Sequence, residues 1–545
     1  MHSQPLPRRM VSPVIFVTGL AAWGCAQLWA VGQKGDDLSC AAAALLAVIA
    51  VKGLWVAMAI FDEQQMLKGL QRRSERASIT HGAARWATRK DTKAAGMEDP
   101  SGLFLGTFKG RDLFYGGENS MLVLAPPGAG KTTSFAAQHL LRSNHSTIVL
   151  DPKLELYALT SKFREDVLRH RVHVISPWYA SFAAQFGGRV ECRDDGFDPC
   201  ASLDPESSSV IDDCTLLASL LLPPPSKEET GSEDYWRSFS QEILVAFLLL
   251  ELSRAGSVTL LRLRQMVLAA EEQLESDIAE MLTSDAFSGV LREYGARLYS
   301  PKMNSPKEWS GGLGGAVKAL RLYDAHGPLG ASVSKAGVDF RTFKDEPTTI
   351  YIAQPSDKVE SHKGWSGMVI TLAMEMLARD RRKRRCIFLL DEFQNAGVLI
   401  PILKGIALYR GTGLQFVFLV QFLSALKRLY EESWREFFSV DLVAAFGAPS
   451  DPETLKLLSE LTGQSTVRDV SYSSDAHALA MGGVGVGVSS RETARPLMRP
   501  EEIRLLPRSD QLIFTANLPP ICAKKQSYLD NPRLRRRASE NPYYV

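Results

Sequence analysis

The stretch Met121-Leu-Val-Leu-Ala-Pro-Pro-Gly-Ala-Gly-Lys-Thr-Thr133 constrains this chain more than any other. The apolar run from Met121 to Ala125 predicts a buried strand, Pro126-Pro127 breaks it, and a helix is predicted over Thr133 to Leu141. Between them, Gly128 and Gly130 let backbone N–H groups converge on an anion. The helix N-terminus adds partial positive charge, Lys131 can reach β/γ-phosphates, and Thr132 can ligate Mg²⁺. Ala125 stands where the usual pattern begins with glycine. The plainer alternative is a Gly-rich turn with no ligand.

Strand and helix signals continue to alternate beyond the cradle. Ser146 to Leu150 reads as a strand ending at Asp151-Pro-Lys-Leu-Glu155, and Val172 to Pro177 as another. With helices between, this is a βαβαβ run, the sign of a doubly wound parallel sheet. Asp151 lies at a strand's carboxyl end, where such sheets place ligands, so a functional role stands level with a turn-forming one. Cys386 to Leu390, some 260 residues after Lys131, is an uninterrupted apolar strand that ends in Asp391-Glu392. A strand buried on both faces has no reason to end in adjacent acids unless their charge is used or solvated. In a nucleotide-hydrolysing site, Asp391 would help hold Mg²⁺ and Glu392 would polarise the attacking water. Arg410 and Gln421 come next, the latter closing the apolar strand that begins at Leu414. An arginine finger and a γ-phosphate sensor are open to them, as are solvent-facing roles.

The chain's 545 residues imply about two to four domains. Lys and Arg number 63 against 61 Asp and Glu, so any nucleic-acid surface must be local. Seven cysteines without C-x-x-C spacing point to neither zinc nor a disulfide framework and read as small buried hydrophobes. Near the start, 24 residues between Arg9 and Lys34 carry no charge, and 24 between Asp37 and Asp62 carry only Lys52. Each suffices for a membrane helix, since about 20 apolar residues span a bilayer. Arg8 and Arg9 before the first, and Lys68, Arg72, Arg73 and Arg76 after the second, place both ends on the cytoplasmic side. Lys52 would face a partner or polar cavity, or snorkel to an interface. Beyond the spans, His81 and Arg85 have no visible catalytic partner and read as structural. Gly102 to Gly106 predicts a short strand and Phe108 to Gly117 a hairpin.

From Leu203 to about Gly330 the spacing turns helical, which predicts an all-α insertion before strand grammar returns at Thr349. The divisions expected are a membrane anchor (1–70), the first part of a nucleotide-binding domain (71–202), an all-α domain (203–330) and the second part with a basic tail (331–545). The basic run Arg379 to Arg385 reads as a solvated connector before DNA or lipid contact is considered. Met481 to Gly487 reads as a flexible hairpin and Arg533 to Arg537 as a solvated tail.

The order of parts resembles the type IV secretion coupling proteins, the TraG/TraD-type conjugative ATPases, along nearly the whole chain. It rests on two N-terminal spans, His81-Gly-Ala-Ala-Arg-Trp86, Ala125 to Thr132, Asp151-Pro-Lys-Leu-Glu155, Leu390-Asp-Glu-Phe-Gln-Asn395, and later Arg495-Pro-Leu497 and Glu501-Glu-Ile503. The resemblance implies an α/β fold: a RecA-like P-loop ATPase with an inserted all-α domain and two transmembrane helices, in a hexamer around a channel. It implies that Gly128, Ala129, Gly130, Lys131, Thr132 and Thr133 bind ATP, that Thr132 and Asp391 hold Mg²⁺, and that Glu392, Arg410 and Gln421 serve catalysis. Arg410 would be the trans arginine. The implied work, at the bacterial inner membrane, is passing a relaxase-bound single DNA strand to type IV secretion channel subunits. An alternative is a receptor for protein effectors with a slow regulatory ATPase, and a further one a chromosome-type DNA motor. Leu154 departs from the pattern, where glycine is frequent, as do Gln394, where proline is frequent, and Thr132, where several relatives have glycine.

Overall fold

The computed structural model describes residues 41–54, 80–222, 231–474 and 486–543, apart from Ala336, Lys363, Lys383, Arg410 and Ala448, together with a few positions between 19 and 30. Most of the first expected span, much of the second, the tip of the Gly-rich hairpin and Arg410 therefore lie outside the described residues. The chain divides into two compact units. One comprises 1–83 with 464–495, and the other 84–463 with 496–545.

In the smaller unit, helix Ala41–Leu54 accompanies a two-stranded sheet of Gln464–Ser474 and Val486–Pro496. Among the described residues no single helix is long and apolar enough to cross a membrane.

The larger unit is built on one sheet of eleven strands. In chain order they are β1 (Leu103–Phe108), β2 (Arg111–Tyr115), β3 (Met121–Leu124), β4 (Ser146–Leu150), β5 (Arg171–Ile175), β6 (Thr348–Ile352), β7 (Cys386–Leu390), β8 (Leu414–Val420), β9 (Leu442–Phe446), β10 (Asp510–Thr515) and β11 (Ile521–Lys524). Their order across the sheet is β2-β1-β11-β10-β9-β3-β8-β7-β4-β6-β5, parallel from β9 to β5 and antiparallel over the rest. The parallel strands β3, β4, β6, β7, β8 and β9 are buried at every residue, as mainly apolar strands covered on two faces must be. Alternate side chains feed two separate cores. Leu122, Phe388 and Phe418 pack with the helical segment, while Val123, Leu389 and Leu419 pack beneath Phe135 and Leu140 of the helix after the cradle.

Between β5 and β6 the regular structure among the described residues is entirely helical, from Tyr179–Phe186 to the short turn Phe340–Thr342, with the main helical segment running from Val210–Leu221 to Pro328–Val333. In its longest helix, Gly231–Ala255, the apolar run Ile243 to Leu250 is buried against protein. Helix Pro306–Leu320 approaches it closely through glycine. A Cβ on Gly312 would fall 2.1 Å from the Phe239 ring.

Arg164, fully buried, ties the sheet's amino end together. Its guanidinium donates to the carbonyls of Leu140, Ser143 and His145 and to the Thr349 hydroxyl at 2.6–3.0 Å, with His170 Nδ1 at 3.2 Å. No carboxylate pairs with it among the described residues, and burial lowers its pKa to about 10. Arg164→Met would strip the Leu140 and Ser143 carbonyls of their guanidinium donor and leave the His145 carbonyl only the Thr147 hydroxyl. The expected result is a loss of about 3 kcal/mol or more in unfolding free energy, read as a lower denaturant midpoint.

Candidate nucleotide site

The order β3-β8-β7-β4 sets four strand carboxyl ends side by side, and register keeps them level: Leu124 pairs with Val420, Leu390 with Phe418, and Leu150 with Leu390. Chain positions far apart thereby share one edge. The cradle follows β3, Gln421 follows β8, Asp391-Glu392 follows β7, and Asp151 follows β4.

Gly128 and Gly130 take left-handed backbone angles, φ +70° and +82°, which turn the chain from strand to helix without a Cβ clash. The helix opens with a widened π turn, Thr132–Ala136, and continues through Ala137–Arg142. From its start, the Lys131 ammonium reaches Asp391 Oδ1 at 3.1 Å and Glu392 Oε1 at 3.2 Å. The same Glu392 oxygen accepts from Gln421 Nε2 at 3.1 Å and lies 3.4 Å from Lys153 Nζ, while Asn395 Nδ2 donates to Oε2 at 3.1 Å. Burial opposes ionisation of Glu392, but Lys131 and Lys153 outweigh it and hold its carboxyl below the usual range. Asp391, buried more deeply, is pushed upward by desolvation, with Lys131 opposing and Glu392 adding. One acid is thus kept charged and its neighbour held closer to neutrality.

Glu392 itself has φ 48°, ψ 44°, a left-handed conformation that costs a non-glycine residue about 1 kcal/mol. It turns the chain abruptly off β7, and the Asn395 N–H bonds to its carbonyl at 2.8 Å.

A profile of the family described as type IV secretory system conjugative DNA transfer matches residues 84–544. This chain belongs to that family. Among its relatives, conjugal transfer protein TraG of Escherichia coli is 26% identical over 93% of this chain and 85% of that protein. Protein VirD4 of Agrobacterium fabrum (strain C58) is 26% identical over 84% of this chain and 67% of its own length. Among solved structures, the bacterial conjugative coupling protein TrwBΔN70 aligns with TM-score 0.58 at 18% identity, covering 83% of this chain and 95% of that one. Plasmid coupling protein TrwB in complex with ADP and Mg²⁺ aligns with TM-score 0.58 at 16% identity, covering 82% and 94%. At such identities the likeness is one of fold: mixed α/β with a large parallel sheet.

Of the residues expected at the site, the cradle (Gly128 to Thr133), Asp391, Glu392 and Gln421 occupy one edge in this conjugative-transfer family member. Asp151 takes the turn-forming role. Its carboxylate caps helix Glu155–Lys162, accepting from the N–H groups of Glu155 at 3.1 Å and Tyr157 at 2.8 Å, and burial pushes its pKa up to about 7. Arg85 holds Asp91 through two bonds of 2.7 and 2.9 Å, the structural role expected of it. In the basic connector, Arg379 pairs with Asp213 and Arg382 with Asp380, while Arg385 donates to Gln415 and the Gly117 carbonyl. Among the cysteines, Cys200, Cys214 and Cys386 are buried as expected, whereas Cys522 is exposed.

Sequence reasoning assigned Lys153 no role, although its place three residues past the end of β4 was a usable signal. The arginines of the Arg533 to Arg537 run are exposed, as expected of a solvated tail, but the end of the chain docks. Leu534 is buried, Arg537 donates to the Leu141 carbonyl, Asn541 bonds to Glu155, and the Tyr543 hydroxyl donates to the Lys153 carbonyl.

Leu154 explains its own departure from the family pattern. Its backbone is left-handed, φ 54°, ψ 20°, a conformation suited to glycine, yet its side chain is completely buried. Strain of about 1 kcal/mol is outweighed by about 1.5–3 kcal/mol of burial. Leu154→Ala keeps the strain and loses the burial, so Leu154→Gly is expected to be at least as stable, reversing the ordinary order of the two substitutions; paired denaturant midpoints decide.

Proposed function

We propose that this chain is a membrane-anchored, hexameric ATPase that couples a relaxase-bound single DNA strand to a type IV secretion channel in conjugative transfer. The observation that carries the reading is the contact of Lys131 with Asp391 and Glu392, which joins the two halves of a nucleotide site. Membership of the conjugative DNA transfer family supplies the process the hydrolysis would serve.

The residues fit Mg²⁺ and ATP. The cradle offers left-handed glycines, a helix N-terminus and a cation, and Thr132 with Asp391 offers the hard oxygen donors that Mg²⁺ takes. Bound Mg²⁺–ATP would supply the phosphoanhydride to be cleaved and the divalent charge that screens it. Gly128, Ala129, Gly130, Lys131, Thr132 and Thr133 would hold the phosphates. Glu392, kept ionised by its two lysines and fixed by Gln421 and Asn395, would orient water and accept its proton. We assign Arg410 to the neighbouring subunit's site.

The anchor reading is supported by helix Ala41–Leu54, whose Leu45, Val48, Ile49, Val51 and Leu54 are all exposed. Apolar side chains turned outward along a helix are suited to hydrocarbon, and the flanking charges put both termini in the cytoplasm at the bacterial inner membrane.

Purified full-length protein is expected to hydrolyse ATP, faster with single-stranded DNA, and Lys131→Ala to lower the rate by about a hundredfold or more. Undiminished hydrolysis in that variant would overturn the assignment. Glu392→Gln separates binding from chemistry: nucleotide affinity should survive while kcat falls by about two to four orders of magnitude.

A further inference from the structure

We propose that Lys525, far from the recognised motifs, is a positioning residue for the cradle, holding the Ala129 carbonyl so that the Gly130 N–H is aimed at phosphate. The inference rests on the nucleotide-binding reading above.

Lys525 follows β11, and its own N–H is anchored to the Ser509 carbonyl at 2.7 Å. Its side chain runs to the cradle, where the ammonium donates to the carbonyl oxygen of Ala129. Two further contacts fix that reach: the ammonium lies 4.6 Å from the centroid of Phe446, and Gln138 of the cradle helix donates to the next carbonyl, Gln526, at 2.7 Å.

The peptide between Ala129 and Gly130 is the one the cradle most needs to orient. In a trans peptide the carbonyl and the following N–H point in opposite directions, so drawing the Ala129 oxygen toward Lys525 turns the Gly130 N–H away from it. The plane turns through ψ of Ala129 and φ of Gly130, and Gly130 lacks the Cβ that would restrict the second of these. Local sterics therefore restrict this plane less than one between two residues that both carry a Cβ. A charge-assisted bond from outside the loop selects one of its orientations.

Charge is essential to that selection. Burial lowers the Lys525 pKa to about 8, with Arg508 adding and Asp510 opposing, and Lys524 is itself paired with Asp510. Protonated Lys525 is needed to hold the carbonyl, so the contribution is complete well below pH 8 and lost above it. Arginine at the same place would stay charged throughout.

The test is the affinity of the full-length protein for a fluorescent ATP analogue, with Lys131→Ala as control. Lys525→Met is expected to weaken binding about tenfold, with a smaller change in kcat, and Lys525→Arg to restore most of it. Between pH 7 and 9, wild-type affinity should fall where that of Lys525→Arg stays level. Affinity of Lys525→Met within twofold of wild type would overturn the proposal. So would equal weakening by both substitutions, the mark of a purely structural side chain. Absence of any binding that depends on Lys131 would instead overturn the nucleotide site itself.

Discussion

An ammonium shared by two adjacent carboxylates is the interaction on which the site depends. Asp391 and Glu392 are consecutive, largely enclosed, and would repel one another strongly in a medium of low dielectric constant. Lys131 relieves that repulsion from another part of the chain. It can do so only because β8 lies between β3 and β7, a spacing that brings the cradle and the acids together around the Gln421 amide. Sheet order, cradle geometry and the charge states of both acids are consequences of one another.

Much of this was legible because its signals are local. Runs that are wholly or mainly apolar marked β3, β4, β7 and β8, and the polar residues at their carboxyl ends marked the edge where ligands gather. What was not legible depends on approach between distant segments. Nothing in the spacing around Lys525 or Tyr543 reports that the end of the chain returns to the cradle and to the Asp-Pro-Lys loop. Asp151 shows the converse limit: a carboxylate at a strand end looks the same in sequence whether it binds a ligand or caps the next helix. The basic connector followed the ordinary rule that clustered charges find nearby partners, since Arg379 and Arg382 are spent on aspartates.

Backbone strain lies on both arms of the site. Glu392 and Leu154 are non-glycine residues in left-handed conformations, one beyond β7 and the other beyond the adjacent β4. Each is held by something specific. Glu392 is pinned by its lysines, Gln421 and Asn395, and Leu154 by complete burial. Such strain persists only where surrounding contacts over-determine it. Here it lets two neighbouring strands turn at once and bring Lys153 onto Glu392.

The position of β3 in the middle of the sheet also bears on synthesis. Its neighbours are β8 and β9, so when the cradle strand leaves the ribosome neither flank can be covered. About 290 residues must follow before β8 begins, roughly 15–60 s at about 5–20 residues per second. The helical segment made in that interval is rich in local contacts and can fold first. An apolar strand with two bare edges is meanwhile a target for aggregation, so the nascent chain has reason to need a chaperone until its final third arrives.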